Sequence, residues 1–363
     1  MSTAPTGAPV RVMLCDDSAT ARGALARVLE TDPGLRVVAR VGDGRQALEA
    51  LDKAPPHERA EVILLDLEMP QMDGMTALPL LLQREPRPIV IVASALTQRG
   101  ATATMAALKA GASDYVPKPG AAGGGLQDPA FRAELLAKVK GWARLRQKPA
   151  SAATPRPAPT LRAAPRGKLG PGARALCIGS STGGPQALAA LVRRLPRQLA
   201  IPCVIVQHMP AGFTAMLAQH LDGLGGPRVS EAKEGQPLLP GEILVAPGDR
   251  HLLLRAEGDR FLAQLSDGPP ENFCRPAVDP TLRSLIAAFG SRVHAVILTG
   301  MGHDGLAGCR ALSEAGGTVW AQDEASSVVW GMPGAVARAG LAMEQGTPEA
   351  LGEALSTLIG RSA

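Results

Sequence analysis

Aromatic side chains are the scarcest feature of this 363-residue chain: five Phe, three Trp and one Tyr make up 2% of it. A surface that stacks bases needs aromatics interleaved with basic residues, and no such motif, helix-turn-helix or zinc finger accompanies the positive charge, so nucleic acid is not an expected partner. The five cysteines, Cys15, Cys177, Cys203, Cys274 and Cys309, are scattered, odd in number and without CxxC spacing. That excludes a disulfide framework and a zinc site and leaves them as reduced packing residues. The longest apolar stretch, PIVIVASAL at 88–96, falls far short of the roughly 18 residues a membrane span needs, so no membrane insertion is expected. The opening MSTAPTGAPV has no basic segment followed by an apolar core; no secretory signal is read, and a cytoplasmic location follows.

Acidic residues are also missing, locally. Between Glu134 and Asp222 there is none, against thirteen Lys and Arg. The plainer reading is a linker kept soluble by its charge; the sharper one is capture of an acidic partner, an attraction that salt would screen. Within that window QKPASAATPRPAPTLRAAPRGKLGPGA, 147–173, lacks apolar periodicity and cannot bury enough surface to offset its ordering entropy. It therefore separates two globular parts, as the length also suggests. The expected division is a first domain over 8–120, a helix and Pro/Ala/Arg-rich linker over 121–172, and a second domain over 173–363.

What is present is α/β. Five apolar runs before the linker (RVMLCDD, LRVVARV, EVILLDL, PIVIVAS, DYVPKP) alternate with helical patterns and predict a doubly wound, flavodoxin-like parallel sheet. After the linker ARALCIG, IPCVIVQH, GEILVAPG and HAVILTG are buried-strand candidates, with helices over 186–194, 213–221, 281–289 and 305–315. That half is expected to be α/β with a mostly parallel sheet.

Ligands of an open parallel sheet sit outside the carboxyl ends of its strands. In the first half those ends carry Asp16 and Asp17, then Asp66, Ser94 and Lys118. Converging carboxylates repel one another unless a hard cation such as Mg²⁺ is bound, and a lysine and a hydroxyl would hold phosphoryl oxygens. The set describes phosphoryl transfer to a carboxylate. Residues 10–119 resemble the response-regulator receiver domain, including the run D-x-x-M-P-x-M-D-G from Asp66 through Met69-Pro70 to Asp73-Gly74. The resemblance implies that Asp66 accepts phosphate from a sensor histidine kinase, that Asp16, Asp17 and Asp66 hold Mg²⁺, that Ser94 is the switch residue and that Lys118 binds phosphate.

In the second half CIGSSTGGPQAL, 177–188, lies between a strand and a helix. It fits neither G-x-G-x-x-G nor a Walker loop, whose Lys is missing. It does contain G-x-S-x-G, a turn that presents Ser181 near a helix N-terminus, although a plain helix cap would use similar residues. A serine needs a base, and a base needs an orienting carboxylate. Of six histidines, His208 and His303 directly follow strand runs; His57 is in the other half, His294 and His251 stand at strand starts and His220 is within a helix. His303 reads as a loop neighbour of Asp304, which leaves His208 as base and Asp304 as orienter. The order Ser, His, Asp disfavours α/β-hydrolases.

Residues 174–360 resemble the chemotaxis protein-glutamate methylesterases of the CheB family, through IGSSTGG, VQHMPAGFT, RPAVDPTL, ILTGMGHDGLAG and QDEASSVVWGMPGAV. The resemblance implies a catalytic triad of Ser181, His208 and Asp304, oxyanion donors among the backbone amides near Met301 and the 181–182 turn, and Thr182, Met209 and Arg275 in the pocket. It implies hydrolysis of glutamate methyl esters on methyl-accepting chemoreceptors to glutamate and methanol, with glutamine deamidation as a second activity, no cofactor for the ester step, and control by the receiver. Ala277 and His303 depart from the Ser and Asn expected in many members, and substrate contacts could change there. An esterase or amidase acting on another protein, and a phosphorylation-dependent binding module, are the other readings.

Overall fold

The computed structural model describes residues 8–95, 97–118, 128–147 and 174–359, and the chain divides into two units, Met1–Lys148 and Pro149–Ala363. The linker read over 147–173 lies almost wholly outside the described residues. No described helix is long and apolar enough to cross a membrane.

Every apolar run of the first half becomes a strand. The chain runs β1 (Val10–Cys15), α1 (Ala19–Leu29), β2 (Leu35–Val41), α2 (Gly44–Lys53), β3 (Val62–Asp66), α3 (Gly74–Leu82), β4 (Ile89–Ser94), α4 (Gln98–Lys109), β5 (Asp114–Pro117) and α5 (Pro129–Gln147). The sheet is parallel in the order β2-β1-β3-β4-β5. Strand order reverses between β1 and β3, so a crevice opens where these two strands end. Side chains start the helices locally: Ser18, Asp43, Asp73 and Thr97 each accept a backbone N–H of the first turn.

The structure corrects one boundary. The helix assigned with the linker, α5, packs into the first unit: Phe131, Leu135, Val139 and Ala143 recur every four residues and join Val12, Leu14, Leu25 and Ile91 in one core. Leu135 is fully buried, and truncating such a leucine costs about 2–5 kcal/mol, too much for an appendage. Part of the basic window is therefore structural. Lys138 is buried, donates to the Tyr115 carbonyl at 2.6 Å and pairs with Glu134 at 2.7 Å.

The second unit is built on a seven-stranded sheet in the order β14-β13-β12-β6-β7-β9-β8, parallel at each pairing. In chain order its elements are β6 (Ala175–Ser180), α6 (Gly184–Val192), β7 (Cys203–Gln207), α7 (Phe213–Asp222), β8 (Arg228–Glu231), β9 (Glu242–Val245), β10 (His251–Glu257), β11 (Arg260–Ser266), α8 (Val278–Phe289), β12 (Val293–Ile297), α9 (Leu306–Glu314), β13 (Thr318–Gln322), α10 (Met332–Arg338), β14 (Glu344–Gly346) and α11 (Pro348–Ile359). From β6 the chain builds outward to β7, β9 and β8, then returns to lay β12, β13 and β14 on the other side. The crossover thus falls between β6 and β12. The antiparallel hairpin β10–β11 was not foreseen; Glu257 faces Arg260 across a two-residue Gly258-Asp259 turn with Gly258 at φ 57°.

Candidate functional site

In the first unit the crevice between β1 and β3 gathers the expected carboxylates. One oxygen from each of Asp16, Asp17 and Asp66 lies within 4.8 Å of the others. Asp16 and Asp66 are buried and Asp17 is exposed. From the end of β5, Lys118 Nζ reaches Asp66 Oδ2 at 2.6 Å and Asp16 Oδ2 at 2.8 Å. Asp16 Oδ2 is buried and accepts no hydrogen bond, so it keeps an unused lone pair. Two hard oxygen donors beside an unsatisfied third fit a divalent cation such as Mg²⁺. Burial pushes the Asp66 carboxyl above its ordinary range, against the opposing Lys118 hydrogen bond and charge. Burial alone would lower Lys118, but the neighbouring Asp16 and Asp66 carboxylates raise it, so it stays cationic. Gly74 follows from close approach: a Cβ there would collide with the Asp66 carbonyl. Ser94 stands at the end of β4 but is turned from the carboxylates, its hydroxyl donating to the Gly100 carbonyl at 2.9 Å.

In the second unit Ser181 follows β6, His208 follows β7 and Asp304 follows β12, so all three occupy the crossover and its neighbouring strand end. Backbone hydrogen bonds tie these ends together: His208 N donates to Ser180 O at 3.1 Å, and Ser181 N to Thr299 O at 3.0 Å. Gly183 takes φ 76°, and a Cβ there would also strike Val328; the turn that lifts Ser181 onto the start of α6 needs glycine.

His208 Nε2 lies 2.8 Å from Asp304 Oδ2; the Asp304 side chain is buried and the His208 side chain is 11% exposed. Asp304 Oδ2 also accepts the Val278 N–H at 2.6 Å, while Oδ1 accepts Asp279 N–H at 3.2 Å, Gly305 N–H at 3.0 Å and Asn272 Nδ2 at 3.0 Å. Two of these amides open α8, whose N-cap is Ala277 and carries no side-chain cap. Asp304 therefore caps α8 from another element, with its charge at the positive end of the helix. Burial would raise its pKa, but the His208 hydrogen bond and charge, with the Val278 and Asp279 amides, hold it below the ordinary carboxylate range. For His208 burial acts downward, and the Asp304 and Cys274 hydrogen bonds outweigh it, pushing the imidazole up to about 10.

The other ring nitrogen, Nδ1, faces Cys274 Sγ at 3.3 Å. Because Asp304 is ionised and takes Nε2–H, Nδ1 is the nitrogen that titrates, and in the imidazolium it donates to the Cys274 sulfur. Among the described residues Ser181 Oγ makes no hydrogen bond.

The remaining expected residues distribute unevenly. Thr182 and Met209 are buried beside Ser181 and His208 in sequence, and Met301 is 39% exposed. Of the turn amides, Ser181 N–H is spent on Thr299 O; among the described residues the Thr182 and Met301 amides have no acceptor and are free to serve an oxyanion. The Arg275 guanidinium is held by Asp249 at 2.7 Å and by the carbonyls of Asp267 and Gly268, a brace for its loop. Ala277 is fully buried at the start of α8, so the idea that it alters a substrate contact is corrected; His303 is exposed in the loop before Asp304. His294 is buried against Trp320 with both ring nitrogens unpartnered, and burial lowers it to about 3. His251 is a structural bridge between Pro269 O and Ala277 N.

Sequence reasoning missed four contributors. Gln207 is buried at the end of β7; its Oε1 accepts from Ser180 Oγ at 2.6 Å and its Nε2 donates to the carbonyls of Ser181 and His208 at 2.9 and 3.1 Å. It clamps the nucleophile and base strands together, and a glutamine closing a buried run, VIVQH, was the available signal. Asn272, Cys274 and Asp279 come from the segment entering α8. Asn272 Nδ2 bridges Asp304 to Asp279 Oδ2 at 3.0 Å, and Asp279 Oδ1 accepts the Gly308 N–H at 2.7 Å. Burial and the Asp304 charge raise the Asp279 carboxyl.

A doubly wound aspartate pocket in one unit, and a Ser/His/Asp grouping at a sheet crossover in the other, define a response regulator whose output unit is an α/β enzyme domain. Residues 12–125 match the response regulator receiver domain and residues 176–355 match the CheB methylesterase domain. The chain belongs to the CheB methylesterase family. A protein-glutamate methylesterase/protein-glutamine glutaminase of Azospirillum brasilense is 49% identical over 364 residues, covering 93% of this chain and 90% of that protein. One of Paramagnetospirillum magneticum is 45% identical, covering 94% and 93%. The crystal structure of the Thermotoga maritima CheB methylesterase catalytic domain shares 41% identity with a TM-score of 0.50, covering 51% of this chain and 98% of that one.

Proposed function

We propose that the chain hydrolyses glutamate methyl esters, and deamidates glutamines, on chemoreceptors, with Ser181 as nucleophile, His208 as base and Asp304 as its orienting carboxylate. The observation that carries this reading is the 2.8 Å His208–Asp304 contact at the crossover where Ser181 emerges. Ser181 Oγ attacks the ester carbonyl as its proton passes to His208 Nδ1. The oxyanion is met by the Thr182 and Met301 amides. The imidazolium returns the proton to the departing methoxide, giving methanol and an acyl-enzyme that water cleaves by the reverse proton path. An amide substrate follows the same course and loses ammonia.

Because a base must be free to accept the proton, turnover rises with pH as the imidazolium deprotonates. A raised His208 places that acidic limb above the ordinary histidine value. Cys274 is one of the groups raising it and also covers Nδ1. Cys274→Ala is therefore expected to move the limb of kcat/KM to lower pH and to increase methanol release at neutral pH; each unit of movement is worth about tenfold in free base below the limb. An unmoved limb would remove Cys274 from this role.

In the receiver, Asp16, Asp17 and Asp66 would hold Mg²⁺, which when bound offsets the charge of the incoming phosphoryl group. Asp66 accepts phosphate from a sensor histidine kinase, Lys118 pairs with its oxygens, and Ser94 leaves Gly100 to meet it. The location that serves this chemistry is the cytoplasm. The test is methanol release from methylated chemoreceptor cytoplasmic fragments, with and without Mg²⁺ and a small phosphodonor. Release is expected to rise with phosphodonor, and Asp66→Asn is expected to lose that response. A response that survives Asp66→Asn would place the switch elsewhere; no release at all from folded protein would overturn the esterase.

A further inference from the structure

Phe273 is 100% exposed, whereas Phe131 and Phe213 are buried and Phe261 and Phe289 half-buried. Its backbone is equally unusual. Glu271 and Cys274 exchange both backbone hydrogen bonds, at 3.1 and 2.9 Å, closing a tight turn whose central residues Asn272 and Phe273 have φ of 51° and 62°. Both at positive φ is the pattern of a type I′ turn, which favours Asn followed by Gly. Asn272 fits. A bulky phenylalanine at the second position is a strained choice, and its bare ring returns no packing in exchange.

The turn adjoins the reaction centre on both sides. Asn272 Nδ2 is 3.0 Å from Asp304 Oδ1, and Cys274 Sγ is 3.3 Å from His208 Nδ1. A second exposed apolar side chain, Met301, follows Gly300, whose Cα is packed so closely on Ser181 that a Cβ would lie 2.8 Å from the Ser181 Cβ. Among the described residues, large exposed hydrophobics are Leu239, Phe273, Met301 and Met343. Two of the four stand on segments that touch the Ser181, His208 and Asp304 cluster. A strained, solvent-facing apolar group at the rim of a site is unfavourable to the free fold and is retained for what it meets on binding.

We infer that Phe273 is a substrate-docking residue: its ring, with Met301, seats an apolar side chain one helical turn from the modified glutamate on an amphipathic substrate helix. This rests on the esterase reading above. A helix presents residues three and four apart on one face, so a side chain that enters the site brings an apolar neighbour to its rim. The selectivity follows: a methylated glutamate in a helix with an apolar residue at i±3 or i±4 is preferred to one flanked by charge.

The test uses the full chain with Mg²⁺ and phosphodonor on a methylated chemoreceptor fragment. Phe273→Gly is expected to raise KM about tenfold, the scale of a lost aromatic anchor, with kcat falling less than twofold, and to leave the melting temperature unchanged or higher because the turn is relieved. Phe273→Leu is expected to recover most of the KM. In the Ser181→Ala background the same substitution should weaken fragment binding to a similar degree. An unchanged KM and affinity would overturn the proposal. So would a loss confined to kcat, which would mean that the turn acts through Asn272 and Cys274, or a rise in release without phosphodonor, which would mean that the ring serves a contact within the chain. Methanol release that persists in Ser181→Ala would instead remove the serine as nucleophile, and no release from the folded parent chain would sink the esterase reading itself.

Discussion

Ser181→Ala is expected to lower methanol release from methylated receptor fragments by ~10⁴-fold or more, on the scale seen when a nucleophile is removed from a serine hydrolase. The competing nucleophile is Cys274, because its sulfur, not the Ser181 hydroxyl, lies 3.3 Å from His208 Nδ1. Proximity to the base would favour the thiol. The surroundings favour the serine. Ser181 opens α6, where the free Thr182 and Met301 amides can receive an oxyanion, and Gly183 holds the turn at φ 76°. Cys274 closes a hairpin turn, with its own N–H spent on Glu271. An ester attacked there would gain a base without the electrostatic stabilisation that supplies most of the acceleration. The two variants separate these outcomes: loss in Ser181→Ala with activity retained in Cys274→Ala keeps the serine, and the reverse pattern assigns the thiol. Melting temperatures should change little in Ser181→Ala, since that hydroxyl makes no hydrogen bond among the described residues.

The site was legible in the sequence to the extent that it depends on where strands end. Buried parallel strands read as short apolar runs, and the polar residues after them mark the ligand edge whatever the details of packing. That logic located Asp16, Asp66, Lys118, Ser181, His208 and Asp304. It could not say which ring nitrogen of His208 meets Asp304, because that depends on a third segment. The segment, 271–279, is a turn leading into α8, and its Asn272, Cys274 and Asp279 follow no strand run. The β10–β11 hairpin before it was missed for a related reason: both strands are partly exposed, so neither gives the continuous apolar run that marked the sheet. The α5 boundary failed differently. Its buried face is assembled from four residues at helical spacing amid Lys and Arg, and one of those lysines, Lys138, is itself buried; composition suggested solvent where the fold supplies partners.

Asp304→Asn is expected to reduce kcat by about 10³–10⁴-fold while retaining the fold, and its cause is the proton rather than the shape. The Asp304 carboxylate accepts from five donors: His208 Nε2, the amides of Val278, Asp279 and Gly305, and Asn272 Nδ2. An asparagine offers one oxygen and one NH₂ to the same five. If the NH₂ faces Val278 and His208, two donors oppose it, and the histidine relieves one clash by presenting Nε2 as an acceptor. Its proton then sits on Nδ1, the atom that must take the Ser181 proton, and the base is lost. If the NH₂ faces the other way, it meets Asn272, Asp279 and Gly305, and the first turn of α8 keeps only the Val278 half of its cap. Either arrangement leaves buried donors unsatisfied, at about 1–3 kcal/mol each, so a lower melting temperature accompanies the slower reaction. The residual activity should reach its acidic limb at lower pH than the parent, because the group that does most to raise His208 has lost its charge. Methanol release against pH, read beside thermal unfolding, checks both. A variant within tenfold of the parent, with its limb unmoved, would mean that Asp304 serves the fold alone and that His208 takes its orientation from elsewhere.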